Sequence, residues 1–302
     1  MNVAVFTGSD LNAVSGVTAT LSALLQYAPP GIRLRIYTAV RHVYVPRCRA
    51  CLDQARTDGI DVIHQAARGP AGLAATYVAR QLGLPMVRGF RADRSDLWPR
   101  GVDTVLFSPK RRSERLREQW EVSCRRPAIL FVGRLAHERG VYLLPRIQSC
   151  LHSLGIHHRF VIVGQGPMQR ELREQMPDSV FTGVLSRQAV ADVFASADVF
   201  VFPNRARSAG TVVLEAQASG VPVAVTDEDG PRSNMVPGAT GIVRADDDPL
   251  RWGHAIAEMV RGGRLGLMAE SARAYALTRQ WDRALRPLYR AYEEACVRTV
   301  AA

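Results

Sequence analysis

Two periodicities alternate along this chain. Short unbroken apolar runs at 3–6, 128–132, 160–163 and 199–202 have the length and the β-branched and aromatic content of strands buried on both faces. Between them lie segments with apolar residues every three or four positions, as amphipathic helices require. The pattern predicts strands over 2–7, 33–38, 61–64 and 84–87, and helices over 15–27, 46–57 and 69–82. His64, at the polar end of its strand, is expected at the ligand edge of a sheet, where a hydrogen-bonded histidine without a catalytic role is the commoner case. After Gly89 the periodicity fades into turn formers through 113, which reads as a connector. From Arg126 alternation resumes, with strands at 128–132, 160–163, 180–182, 198–202 and 221–226. Helices follow over 141–154, from Pro167 to 176, and over 186–196, 211–219, 249–261 and 266–278, and an amphipathic helix closes the chain at 281–297. Strand and helix in this order predict an α/β protein with two parallel sheets, each covered on both faces.

In such sheets ligands bind at the carboxyl ends of the strands. Three loops of the second half fall there: Gly133-Arg134 after one strand, Gly164-Gln165-Gly166 after another, and 203–210 after the apolar run 199–202. The last tightens at Gly210 and opens into a helix beginning Thr211-Val212, whose unpaired N–H groups and positive dipole end suit an anion. Glu215 lies one turn beyond Thr211 on the same face, within reach of a ligand held at the helix mouth. Arg134 and Arg139 offer guanidinium forks that match phosphate oxygens. Gly164 and Gly166 let the backbone approach a ligand without an intervening side chain. Together these features predict a phosphate-bearing ligand. In the first half, the loop at 8–16 leads from the opening strand into a helix, as the first βα unit of a doubly wound fold does.

Composition narrows the picture. The chain has 302 residues and a net charge of +11, and of its 39 basic residues only Lys110 is lysine. The basic excess is denser over 1–123 than over the rest, which suits an anionic partner such as a nucleotide or an anionic membrane surface. No ordered stripe of basic and aromatic residues is present, so no nucleic-acid partner is expected. Cys48 and Cys51 form a CxxC without the second pair that a structural zinc site needs, and no metal site is expected. The amino terminus lacks the pattern of a signal peptide and no run reaches the length of a membrane span, so the expected location is cytoplasmic, with peripheral attachment at the inner membrane surface as a further expectation.

With these residues in place the sequence resembles the family 4 retaining glycosyltransferases. The resemblance is carried by FVGRLAHERG at 131–140, FVIVGQGPM at 160–168, FVFPNRARSAGTVVLEAQASGVPVAV at 200–225 and GPRSNMVPGATGIV at 230–243. In the first half it rests on NVAVFTGSDLNAVSGVTATL, DGIDVIHQAARGPAGLAATYVARQLGLPMV and WPRGVDTVLFSP, and the nearest likeness is to mannosyl- and glucosyl-transferases acting on lipid or polyprenyl-type acceptors. The resemblance implies the GT-B architecture, two Rossmann-like domains facing across a cleft. It divides the chain into a shortened acceptor-side domain at 1–110, a nucleotide-sugar-binding domain at 111–280 and a C-terminal helix at 281–302 that crosses back. It implies transfer of a sugar, with retention, from a nucleoside-diphosphate sugar to a hydroxyl acceptor, a lipid or a glycan. The donor is a substrate, and no separate cofactor is implied. Gly133 and Arg134, with Arg139 where the family usually has lysine, would meet the donor diphosphate and act as the catalytic cations. Gly210, Thr211 and Val212 would supply backbone near it, Gly164 and Gly166 would line the site, Glu215 would hold the ribose hydroxyls, and Gly16 would lie close to the donor.

Two departures stand out. Arg207 occupies the position where the family has an acid that engages the transferred sugar, and Arg91 the place of a histidine near the reaction centre. Much of the acceptor-side segment is missing before WPRGVD. These leave a second reading open: a catalytically degenerate glycosyltransferase fold that binds a nucleotide or a partner protein.

Overall fold

The computed structural model describes residues 1–8, 16–38, 45–89, 100–206 and 210–300; Arg91 and Arg207 lie outside the described residues. Two compact units emerge, one of Met1–Gly101 with Trp281–Ala302, the other of Val102–Gln280.

The first unit holds a four-stranded parallel sheet. Its strands are β1 (Asn2–Thr7), β2 (Arg33–Thr38), β3 (Val62–Gln65) and β4 (Met86–Arg88), ordered β2-β1-β3-β4. Val3, Ala4, Val5 and Phe6 are fully buried, as a strand covered on both faces requires. One face packs against helix Gly16–Gln26 and the C-terminal helix through Leu21, Leu24, Leu288 and Tyr292. The other packs against helices Val45–Thr57 and Pro70–Leu82 through Leu52, Ala75 and Val78. The closing helix is broken: Trp281–Ala284 ends before Arg286–Val300 because Pro287 cannot continue an earlier helix. The CxxC cysteines are both free thiols.

The second unit holds a six-stranded parallel sheet: β5 (Ala128–Val132), β6 (Arg159–Val163), β7 (Val180–Gly183), β8 (Val199–Phe202), β9 (Val223–Thr226) and β10 (Gly241–Arg244). Their order is β10-β9-β8-β5-β6-β7. One continuous core fills this unit, with Phe131, Phe160, Phe194, Phe200 and Trp252 fully buried. Each such side chain contributes about 2–3 kcal/mol over an exposed one.

Two expectations change. The connector read over 89–113 is not loose in its second half. Val102 and Phe107 are buried in the second core, and Arg273 donates from Nη1 to Phe107 O at 2.9 Å and from Nη2 to Thr104 O at 3.1 Å. Residues 102–110 therefore cluster with the second unit rather than the first. The helix read over 141–154 is a 3₁₀ turn, Val141–Leu143, followed by the helix Leu144–Ser153, with Pro145 in its first turn. Among the described residues no helix is long and apolar enough to cross a membrane.

Candidate functional site

In the second sheet the chain runs from β5 outward through β6 to β7, then returns to lay β8 on the other side of β5. The switch point, where a doubly wound sheet opens a crevice for ligands, thus lies between β5 and β8. Gly133 and Arg134 leave the carboxyl end of β5, and Pro203 to Ala206 leave that of β8, so both stretches flank this point.

The loops are welded to each other. Gly140 has a left-handed backbone, and a Cβ there would meet Pro203 O at 1.8 Å, so only glycine lets the β5 loop rest on the β8 loop. Arg205 N and Ala206 N donate to Glu138 O at 3.2 and 2.9 Å. Arg139 Nη1 donates to Oδ1 of the fully buried Asn204 at 3.0 Å, and Asn204 in turn donates to Ala206 O and accepts, through its carbonyl, from Thr226 Oγ1. Arg139 closes the 3₁₀ turn His137–Arg139, half-buried and tied to the neighbouring loop through one of its donors.

Gly164 and Gly166 have a local reason of their own. Cβ atoms there would lie 2.0 Å from Gly133 O and 2.3 Å from Leu135 O, so the β6 loop packs directly on the β5 loop. Gly133 N donates to Val163 O and Leu135 N to Gln165 O, both at 3.0 Å. The space beside these glycines is thus taken by neighbouring backbone.

Arg134 differs from all of these. It is exposed, and its guanidinium has no hydrogen bond or ion pair among the described residues. Across the switch point, Gly210 begins the helix Thr211–Ala218 in a left-handed conformation that offers no side-chain cap. The first N–H groups of a helix have no intrahelical acceptor, and those of Thr211 and Val212, both half-buried, have no partner among the described residues. Asn234, fully enclosed, donates from Nδ2 to Gly210 O at 2.9 Å and fixes this corner. Glu215 sits one turn along. Burial pushes its carboxyl up to about 7, against the opposing charge of Arg187. Glu215 still keeps partial contact with solvent, so packed neighbours rather than complete loss of water favour its neutral form. The charged form, the better acceptor for hydroxyl groups, prevails above about pH 7.

Gly133, Arg134, Arg139, Gly164, Gly166, Gly210, Thr211, Val212 and Glu215 therefore all belong to the carboxyl edge of the second sheet or the helix that follows it. Gly16 belongs to the first unit, as the first residue of helix Gly16–Gln26. His64 is not at an open ligand edge. It is fully buried, its Nδ1 accepting from the Tyr292 hydroxyl at 2.7 Å while Nε2 faces Gly89 O at 3.3 Å, and burial lowers its pKa to about 4. The supporting residues Asn204 and Asn234 carried no local signal beyond being polar residues near a buried strand or a tight turn.

A two-unit α/β protein with a ligand edge of this kind has the fold of GT-B glycosyltransferases. Anabaena HepE, solved in complex with UDP, superposes with a TM-score of 0.78 at 14% identity, covering 97% of this chain and 99% of that one. A glycosyltransferase from Rickettsia africae gives 0.76 at 13% identity, covering 97% and 98%. At such identities the likeness concerns fold alone.

The glycosyl transferases group 1 family model matches residues 126–276, half of the chain. The chain belongs to that family, and its class is that of a glycosyltransferase. A GDP-mannose-dependent alpha-mannosyltransferase from Corynebacterium glutamicum is 29% identical, over 80% of this chain and 76% of the relative. One of the same description from Mycolicibacterium smegmatis is 39% identical over 63% of this chain, which spans only 49% of that relative.

Proposed function

We propose that the protein transfers a hexose, with retention, from a nucleoside-diphosphate sugar to the hydroxyl group of a lipid or glycan acceptor. The observation that carries this reading is the pairing, across one switch point, of an unpartnered exposed guanidinium at Arg134 with the uncapped helix start at Thr211 and Val212. A diphosphate held there gains charge as the glycosidic bond breaks. Arg134, the remaining donors of Arg139 and the helix N–H groups stabilise that charge without reorganising. Glu215 accepts from the ribose hydroxyls. The relatives described as GDP-mannose-dependent support GDP-mannose as the first donor to try, and the neighbour solved with UDP supports UDP-sugars as the second. The basic excess of the first 123 residues favours an acceptor at an anionic membrane surface on the cytoplasmic side.

A second reading, nucleotide binding without catalysis, is favoured by one specific feature. Arg207 is an obligate donor of positive charge where the family resemblance implies an acid on the transferred sugar. A panel of labelled sugar nucleotides, offered with lipid and glycan acceptors to the parent protein and to Arg207→Glu, separates the two. The proposal expects turnover by the parent and an α-linked product from an α-linked donor, read by NMR of the anomeric proton. Inversion would refute retention. Turnover only in Arg207→Glu would establish the non-catalytic reading.

A further inference from the structure

Beyond β10, at the carboxyl edge of the second sheet, three consecutive acids run Asp246-Asp247-Asp248 into the helix Pro249–Arg261. Their partners differ. Asp248 caps that helix by accepting from Leu250 N at 2.9 Å, and its carboxylate also lies 3.5 Å from Arg251 Nε. Asp246 pairs with Arg244 at 3.2 Å and with Arg251 at 3.6 Å. Asp247 alone turns to the loops at the switch point. Its Oδ1 accepts from Arg205 Nε at 2.8 Å and Arg205 Nη2 at 2.5 Å, and Arg205 is the third residue past β8. The Tyr142 phenol lies near this carboxylate: burial, and then the negative charge of Asp247, hold it above its usual range. Tyr142 lies in the turn that ends the β5 loop, its ring stacked on His137 with centroids 4.4 Å apart. Glu228 Oε1, 3.8 Å from Arg205 Nη1, adds a second ion pair to Arg205. It precedes the turn whose Gly230 backs Gly210.

We propose that Asp247 is the positioning residue of the donor site, a carboxylate that fixes Arg205 of the β8 loop, whose backbone N–H in turn donates to Glu138 O of the β5 loop; the proposal rests on the donor reading above. Arg134 and the Thr211 and Val212 N–H groups come from opposite sides of the switch point, so their mutual spacing is only as fixed as the two loops are to each other. Half-exposed ion pairs add little to global stability. Positional error near a diphosphate, in contrast, is expensive in binding. The clamp therefore acts on ligand affinity and local order rather than on folding.

The test titrates UDP and GDP calorimetrically into the full-length parent, Asp247→Asn, Asp247→Glu and Asp246→Asn, and follows amide hydrogen exchange at 133–142 and 203–206 in the unliganded proteins. Asp247→Asn is expected to weaken nucleotide binding about tenfold, equivalent to ~1.4 kcal/mol. It should also speed exchange at Arg205 and Ala206, with the melting temperature held within about 2 °C. Asp247→Glu is expected to restore part of the affinity, and Asp246→Asn to match the parent in both readouts. In a double-mutant cycle, Arg205→Ala and Asp247→Ala together are expected to cost less than the sum of the two, because both remove the Arg205–Asp247 tie. A parent that binds while Asp247→Asn binds and exchanges identically overturns the positioning role alone. So does an affinity loss accompanied by a general fall in melting temperature. A parent that binds neither nucleotide overturns the donor reading, and the positioning role with it.

Discussion

Both sheets turn about a switch point, between β1 and β3 in the first unit and between β5 and β8 in the second, and the side chains at these two points have opposite fates. His64, on β3, is shut away from solvent with one ring nitrogen on the Tyr292 hydroxyl and the other on the Gly89 carbonyl. Arg134, just past β5, is exposed, its guanidinium unpartnered among the described residues. The topology marks where a ligand edge can form, but the local packing decides whether the polar group there is left for a ligand or consumed by the protein. In the first unit the C-terminal helix consumes it. In the second, the neighbouring loops satisfy Arg139 and Asn204 with each other and leave Arg134 over.

The sharpest way to break this contrast is to force the second unit's loops apart. Gly140→Ala drives a Cβ to 1.8 Å from Pro203 O in a left-handed conformation, whereas Gly238→Ala meets nothing within 4 Å and bears only the strain of its positive φ. Thermal melts are expected to show a loss of at least about 3 kcal/mol for the first and about 1 kcal/mol for the second. Equal shifts would mean that the loops are not welded as described.

A smaller effect tests the first unit. His64→Leu removes the acceptor of the Tyr292 hydroxyl and the donor facing Gly89 O, at a cost of about 1–3 kcal/mol. It also changes the response to acid. His64 has its pKa lowered by burial from 6.5 to about 4, so the unfolded chain takes up a proton where the folded one does not. The stability it contributes is present above pH 6.5 and is lost as pH falls toward 4. His158, buried in the second unit and likewise lowered to about 4, imposes the same slope there. Hydrogen exchange measured between pH 4 and 7 should show that His64→Leu flattens the acid response of the first unit only. An unchanged slope in both units would remove His64 from the account.

Much of this was legible in the residues because the strands are buried on both faces. Runs such as 128–132 and 199–202 carry their own assignment, and the loops at their carboxyl ends follow from the direction of the chain. The packing of Phe107 was not legible, since it depends on the Arg273 guanidinium against the Thr104 and Phe107 carbonyls, whereas the helix start after Leu143 follows from a proline, Pro145, that the sequence carries in its first turn. His64 is the hydrogen-bonded histidine that is the commoner case at the end of a strand, but its partner Tyr292, 228 positions away, was not legible. At Gly164 and Gly166 the residue type signals a close approach, and what lies against them is the backbone of the β5 loop. Asp247 gave no signal apart from its neighbours in an acidic triplet, because only the fold distinguishes which acid of the three faces the loops.

The most direct measurement is calorimetric titration of UDP and GDP into the intact protein and into Arg134→Ala. The Arg134 guanidinium is exposed and unpartnered among the described residues, so its removal should leave the melting temperature unchanged while weakening nucleotide binding about 10- to 100-fold, the worth of one charge-assisted contact to phosphate. Binding of either nucleotide with the same affinity to both proteins, or no binding of either to the parent at about millimolar concentration, would contradict the assignment of this edge as a donor site.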